Sequence, residues 1–271
     1  RKGPSNRFQV NFRNHRKIVV VDGKVAWIGG HNVGDEYLGK GELGEWRDTH
    51  MKIEGPAALE AQLCFVQDWH WARDEIIRLD WSPQGSAEGK ARVLRAPSGP
   101  ADPVETAALM VLEAINAARS RLWIASPYFI PDQSIIAALQ MAGFRGVDIR
   151  ILIPANPDHQ LVYHAAYAYF DSATRTGAKI YKYNTGFLHE KVVLVDDRTA
   201  VVGTANFDNR SFRLNFEVSA VVNDADFVLA VEKMFLADFE DSRLVSPEDY
   251  SAQSIWFRFK VRFANLFASQ L

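Results

Sequence analysis

Cysteine is all but absent. Cys64 is the single one in 271 residues. No internal disulfide and no cysteine-rich metal site can form, and a lone thiol fits a reducing compartment. An excess of either charge is also missing, with 31 Lys and Arg against 33 Asp and Glu and a formal net charge of −2. Nucleic-acid binders usually carry a marked basic excess, so nucleic acid is not an expected partner. No apolar run reaches the ~18 residues of a membrane-spanning helix. The opening "RKGPSNRFQV" carries no apolar core of a secretion signal. Apolar residues make up 48% of the chain, enough for a globular core. The length suits one large domain or two ordinary ones.

Strand and helix signals alternate. "KIVVVDGKVAWIGG" is β-branched on both sides of an Asp22-Gly23 turn and predicts a hairpin. Pro56 then stands where a helix through "PAALEAQLCFVQDWHWARDE" would begin. Trp81–Pro103 is rich in Gly, Pro and Ser and reads as a linker holding one short strand. Asp102-Pro103 predicts the cap of a helix through "ETAALMVLEAINAARS", and Asp132 the cap of "QSIIAALQMAGF". "RLWIAS", "VDIRILIP", "AKIYKYN" and "NFEVSAVV" read as strands, and "HQLVYHAAYAYFDSATRTG" and "DFVLAVEKMFLADFEDSR" as helices. The alternation argues an α/β fold with parallel strands.

A second hairpin repeats the first. Aligning His189 on His15 matches Lys191 with Lys17, Asp196 with Asp22, Gly203 with Gly29 and Asn206 with Asn32. Over 15–32 and 189–206, 8 of 18 positions are identical without a gap, and 5 of the 8 are polar or glycine. An accidental likeness would share strand residues only. A tandem duplication follows, in which each copy gives one hairpin to a common task.

In a strand, residues i and i+2 share a face, so His15 points with Lys17, and His189 with Lys191. Asp22 lies seven residues beyond His15, an odd spacing, and roughly 23 Å away at ~3.3 Å per residue. It cannot orient His15 as a triad acid would. Asp22 and Asp196 are therefore expected to organise the far turns. Asn32 and Asn206 return to the histidine ends. Two such ends face to face give two His, two Lys and two Asn, a set suited to an anionic tetrahedral centre. One imidazole can attack while the other moves the proton. The ammonium and amide groups can neutralise the oxygens. No carboxylate cluster or His/Cys ligand spacing suggests a metal, and no cofactor is expected.

"HRKIVVVDGKVAWIGGHN" and "HEKVVLVDDRTAVVGTAN" both resemble the HxKxxxxDxxxxxxGxxN signature of the phospholipase D superfamily. The wording of "GDEYLG", "WRDTHMKIEGPA", "SPYFIPDQSI", "RGVDIRILIP" and "GTANFDNRSFRLNFE" is similar to bacterial cardiolipin synthases over nearly the whole chain. The resemblance implies two tandem phospholipase D-like α-β-α domains with mixed sheets, packed as a pseudo-dimer. It implies a phosphatidyltransferase that joins two phosphatidylglycerols through a covalent phosphohistidine and releases glycerol. It makes His15, Lys17, Asn32, His189, Lys191 and Asn206 catalytic, with His15 the nucleophile. An acid on the strand after each motif is expected to orient that motif's own histidine: Glu217 for His189, and Asp48 for His15. Thr204 and His159 are candidate substrate contacts. His50 and His70 read as packing residues, and His31 as a substrate contact or an exposed side chain.

Only 14 residues precede His15, whereas His189 lies 97 beyond Arg92. The first domain is accordingly expected to lack roughly 80 residues that its twin carries on the N-terminal side. The expected units are 1–85 for that shortened domain, 86–247 for the second, and 248–271 for an amphipathic C-terminal segment. "SIWFRFKVRFANLF" alternates aromatic and basic residues and could lie on an anionic membrane surface. The resemblance places the protein at the bacterial cytoplasmic membrane, with an anchor in the missing part. The rival readings are a hydrolytic phospholipase D, another phosphodiesterase or a nuclease, and an inactive membrane-associated fragment.

Overall fold

Two corners with matching geometry shape the hairpins. Asp22 and Asp196 both take left-handed backbone angles, with φ of 53° and 51°. A short polar side chain tolerates that region where a β-branched one does not. A computed structural model describes residues 11–83, 85, 89–175, 177–246, 249 and 253–271. Parts of the expected linker (84 and 86–88) and of the C-terminal segment (248 and 250–252) lie outside the described residues.

The chain opens with β1 (Arg13–Asn14), the hairpin β2 (Ile18–Val21) and β3 (Val25–Gly29), then β4 (Trp46–Arg47), β5 (His50–Glu54) and helix α1 (Ala57–Arg73). β6 (Arg92–Ser98), α2 (Thr106–Ala117), β7 (Arg121–Ala125), β8 (Phe129–Ile130), α3 (Gln133–Phe144), β9 (Asp148–Pro154), α4 (Gln160–Thr174) and β10 (Lys179–Tyr183) follow. Next come β11 (Phe187–Leu188), the hairpin β12 (Val192–Val195) and β13 (Thr199–Gly203), then β14 (Phe207–Asp208), α5 (Asn209–Arg213), β15 (Asn215–Asn223) and α6 (Ala225–Glu240). β16 (Ser242–Leu244) and α7 (Ile255–Asn265) end the fold. The order β2–β3–β5–α1 repeats as β12–β13–β15–α6.

Among the described residues, nine strands form one mixed sheet. β15, β13, β12 and β7 run antiparallel in turn, β7, β9 and β10 run parallel, and β16 closes one edge antiparallel. β1 and β6 share the other edge, both on β15. β2, β3 and β5 form a separate three-stranded antiparallel sheet. Helices α2 to α4 bury Ile115, Ile135, Leu139 and Phe170 against Leu122, Ile124, Ile149 and Ile151 on one face of the large sheet. On the other face Leu194, Val202 and Val218 meet Phe235 of α6. Ile28, Ile53 and Cys64 from the small sheet and α1 join that same cluster. At about 1.5–3 kcal/mol for each fully buried large aliphatic or aromatic side chain, this shared core fixes one sheet against the other. The expectation of a small packed Cys64 agrees with its full burial.

One expected cap is corrected. Asp102 accepts from the Gly99 N–H at 3.1 Å and so closes a turn, leaving α2 to begin after Glu105 without a side-chain cap. Asp132 does cap α3, accepting from the Ile135 N–H at 3.0 Å. The C-terminal segment, ambiguous between strand and helix by its pattern, is helical.

Candidate active site

Each histidine stands just beyond a two-residue strand that pairs with the other half of the molecule. β1 runs parallel to β15, and the His15 N–H continues the ladder to Phe216 O at 2.9 Å. β11 runs parallel to β4, and the His189 N–H continues that ladder to Arg47 O at 2.7 Å. The residue after each acceptor is an acid. His15 Nδ1–H therefore meets Glu217, with both carboxylate oxygens at 3.0 Å, and His189 Nδ1–H donates to Asp48 Oδ2 at 2.7 Å. This corrects the expected partners. Glu217 and Asp48 are exchanged between the halves, because the strand pairing delivers each histidine to the opposite acid. With Nδ1 held by a carboxylate, Nε2 of each imidazole carries the free lone pair.

The acids sit at equivalent places in spite of their different spacing. Gly30 N–H donates to Thr49 O at 2.9 Å and Thr204 N–H to Val218 O at 2.9 Å, so Asp48 and Glu217 are the residues just before matched positions. Their seats differ. A Cβ on Gly30 would lie 2.0 Å from Asp48 Oδ1, so this position must be glycine for the carboxylate to fit. In the second half Thr204 takes that place, and its Oγ1–H donates to Glu217 Oε2 at 2.5 Å. Thr204 is fully buried. Its hydroxyl is engaged in holding the acid and accepting from the Val218 N–H at 3.0 Å, a holding role where a substrate contact was expected.

Tyr37 is a participant that the motif did not reveal. Its hydroxyl donates to Asp48 Oδ2 at 2.8 Å and lies 3.0 Å from His189 Nδ1. Burial, then the Asp48 charge, push the phenol far above its ordinary range, so it stays a donor. Trp46 packs on the His189 ring at 4.9 Å between centroids, and Tyr37 stacks on His31 at 4.5 Å. The only signal in the sequence was the quoted "GDEYLG", and it carried no role.

Burial governs the cations. Lys17 Nζ donates to His15 O at 2.7 Å, and Lys191 Nζ to His189 O. Desolvation lowers Lys17 to about 8 against the pull of Glu217 and Asp48. It lowers Lys191 to about 7, with Asp48 and Glu217 opposing and Lys17 assisting. Lysines from both copies thus feel both acids, within a single field. Burial, then Lys191, bring His189 down to about 3, so its imidazole is neutral. For Asp48 burial opposes ionisation, but the His189 hydrogen bond and the Lys191 charge prevail and hold it below the usual carboxylate range.

The two asparagines differ. Asn206 is buried, its N–H bound to Ser211 Oγ at 3.1 Å and its Oδ1 unpaired among the described residues. Asn32 is exposed. Asp196 accepts from the N–H groups of Arg119, Ser120 and Arg121 at the far end of β12, and Asp22 occupies the corresponding exposed turn. His159 opens α4, its side chain 69% exposed, and lines a shallow, largely apolar pocket with Tyr128, Phe129 and Tyr163. His50, expected to pack with its polar atoms satisfied, has a buried Nδ1 without a partner among the described residues and stands edge-on to His31. Behind the site the Arg47 guanidinium serves two acids, Asp238 at 2.9 and 3.1 Å and Glu190 at 3.0 Å. Burial, then Asp238, push Glu190 up to about 8.

Known proteins share this arrangement of sequence. Residues 111–239 match the family described as "Cardiolipin synthase, PLD-like domain". The chain is 53% identical over 252 residues to a cardiolipin synthase A of Pseudomonas putida (strain W619), covering 93% of this chain and 52% of that protein. It is 55% identical over 248 residues to a cardiolipin synthase A of Pseudomonas aeruginosa (strain LESB58), covering 91% and 50% respectively. The chain therefore spans about half the length of these curated relatives. Among solved structures, a phosphatidylserine synthase of Haemophilus influenzae Rd KW20 superposes with a TM-score of 0.71 over 95% of this chain and 71% of that one. At 15% identity that likeness speaks for the fold. Residues 111–239 thus carry a PLD-like domain of the cardiolipin synthase family, and the signature hairpin inside them has its counterpart at 15–32.

Proposed function

We propose that this chain carries the catalytic site of a cardiolipin synthase-type phosphatidyltransferase, built by two duplicated units, 1–85 and 86–247, with 248–271 as a C-terminal amphipathic segment. The observation that carries this reading is the exchanged pair of dyads, His15–Glu217 and His189–Asp48, in one field with Lys17 and Lys191. The substrates are two phosphatidylglycerol molecules at an anionic membrane surface, in bacteria the cytoplasmic membrane.

In the first step the lone pair of one imidazole Nε2 attacks phosphorus. The bond from phosphorus to the glycerol oxygen breaks, and that oxygen takes a proton from the other imidazolium. In the second step the now neutral imidazole removes the proton from a hydroxyl of the second phosphatidylglycerol. The resulting oxygen attacks phosphorus and the P–N bond breaks, giving cardiolipin and free glycerol. Lys17, Lys191 and the Asn206 and Asn32 amides neutralise the non-bridging oxygens.

The resemblance gives His15 the attack. The reverse assignment is favoured by one observation: the imidazole held neutral is that of His189, while His15 is the more exposed of the two, its side chain 27% accessible. Labelled phosphatidylglycerol in liposomes tests the reaction. Cardiolipin with glycerol is expected, and phosphatidic acid without cardiolipin would show a hydrolase instead. Denaturant quench at mildly alkaline pH, which spares the P–N bond, followed by peptide mass spectrometry, then shows which histidine carries the phosphatidyl group. His15→Ala and His189→Ala should each abolish turnover.

A further inference from the structure

The last helix leaves one aromatic face exposed among the described residues. α7 buries Val261 and Ala264 and packs Phe257 against His164 and Tyr167 of α4. On the far side Trp256 is 64% exposed, Phe259 55%, Phe263 51% and Leu266 76%. At ~100° per residue, these four fall within an arc of roughly 80° on the side away from the buried face. Arg258 and Arg262 flank one margin of the stripe and Lys260 the other, all three exposed. No Asp or Glu occurs after Asp249. A helix with one face docked, a second aromatic face open and cations on both rims has the composition of an interfacial helix. Its rings enter the acyl boundary while its cations meet anionic headgroups.

The position of α7 also ties it to the site. Asn209 of α5 donates to the Ala268 and Ile130 carbonyls at 3.0 and 3.2 Å, and Arg210 N–H to Leu271 O at 2.9 Å. Ser211, next in α5, receives the Asn206 N–H. Hydrogen bonds thus hold the few residues that follow α7 to α5, whose Ser211 binds the backbone N–H of Asn206.

We propose that α7 is the surface by which this protein rests on an anionic lipid bilayer, lying flat in the interface with Trp256, Phe259, Phe263 and Leu266 immersed. This rests on the phospholipid reading above, and it names the docking element that reading needs. The mixed character of the exposed face decides between occupants. A second protein would bury the aromatic stripe but would have to supply acids to both rims, where Lys260 and Arg262 lie, whereas anionic headgroups neutralise them wherever the helix rests.

The test is sedimentation with vesicles of phosphatidylcholine alone or with about 30 mol% phosphatidylglycerol. Phe259→Ser with Phe263→Ser should lower partitioning at least tenfold on the mixed vesicles. Lys260→Gln with Arg262→Gln should remove about tenfold of the preference for the anionic vesicles, as should 0.5 M salt acting on the unchanged protein. Thermal melts show whether each pair folds, and turnover of short-chain phosphatidylglycerol below its micellar concentration reports the site itself. Equal vesicle binding by parent and both variants would overturn the proposal. So would a dimer in sedimentation velocity that only the Phe pair dissolves, with no vesicle binding by the parent. Failure to make cardiolipin from dispersed substrate, with vesicle binding intact, would overturn the catalytic reading and leave the docking surface standing.

Discussion

A single methyl group at Gly30 should disable the site. Its backbone is not left-handed, so any cost of Gly30→Ala comes from collision alone. The new Cβ would stand 2.0 Å from Asp48 Oδ1 and 2.6 Å from its Cγ. Comfortable non-bonded separations are about 3.5 Å, so the carboxylate must retreat by more than ~1 Å. It is pinned where it stands by three donors: Thr49 N–H at 2.8 Å, His189 at 2.7 Å and Tyr37 at 2.8 Å. A shift of that size carries the His189 bond out of hydrogen-bonding range. A misplacement of ~1 Å in a reacting group costs on the order of 10²-fold in rate. Leaving a buried carboxylate short of partners costs about 1–3 kcal/mol of stability. Gly30→Ala should lower kcat about a hundredfold with KM within about twofold, and lower Tm by a few degrees. Cardiolipin formation from labelled phosphatidylglycerol measures the first, and scanning calorimetry the second. Gly85→Ala, where a Cβ meets nothing within 4 Å, is the matched control. Retention of more than about half the parent rate by Gly30→Ala would refute the steric seat, and with it the claim that Asp48 must hold His189.

Tyr37→Phe keeps the ring against Trp46 and His31 but removes the hydroxyl that donates to Asp48. A drop in kcat of about tenfold is expected, with unchanged KM, and an unaltered rate would show that the phenol does not position the dyad. Lys191, held near 7, is largely neutral at pH 8, and a bound phosphate dianion should restore its proton. Calorimetric titration with inorganic phosphate in two buffers of different ionisation enthalpy should therefore show proton uptake, with affinity falling as pH rises through 7 to 8. Zero uptake would contradict the charge assignment. Glu190, raised from 4.5 to about 8, keeps its proton in the folded state while the unfolded chain loses its own, so its contribution to stability declines across pH 4.5 to 8. Glu190→Gln should flatten that decline in denaturant melts. A variant as pH-dependent as the parent would show that Glu190 is ionised beside Arg47.

Local pattern revealed more of this molecule than did any arrangement between distant segments. Both hairpins, the Asp132 cap and the alternating helices follow from turn chemistry and periodicity within a few residues. The exchange of acids does not, because it depends on β1 lying beside β15, with 202 positions between His15 and Glu217. Asp48 was the harder acid to place for a similar reason. Asn32 to Asp48 spans 16 residues and Asn206 to Glu217 spans 11. The 5 extra residues accompany the short 3-10 turn Asp35–Leu38 that carries Tyr37. An insertion has no counterpart in the other copy, so comparing the copies gave Tyr37 no weight. Asp102 misled because an Asp before Pro suits a turn as well as a helix start, and the free Gly99 N–H was within its reach.

Charge accounting explains why these groups stay together in one buried place. Four groups that can bear positive charge, His15, Lys17, His189 and Lys191, converge with two acids, Asp48 and Glu217. If all four were protonated, the pocket would hold an uncompensated excess in low dielectric, which is strongly unfavourable. Burial is the main cause of the lowered values of Lys17, Lys191 and His189, and the neighbouring lysines add to it for Lys191 and His189. On the proposed reading, a phosphodiester entering between the two halves would supply the missing negative charge. Its arrival would let the lysines regain their protons and would leave one imidazole to attack while the other protonates the leaving oxygen. Neither half could do this alone, since each histidine takes its orienting acid from the other. The duplication therefore supplies two interlocked half-sites, and the exchanged hydrogen bonds make them a single unit.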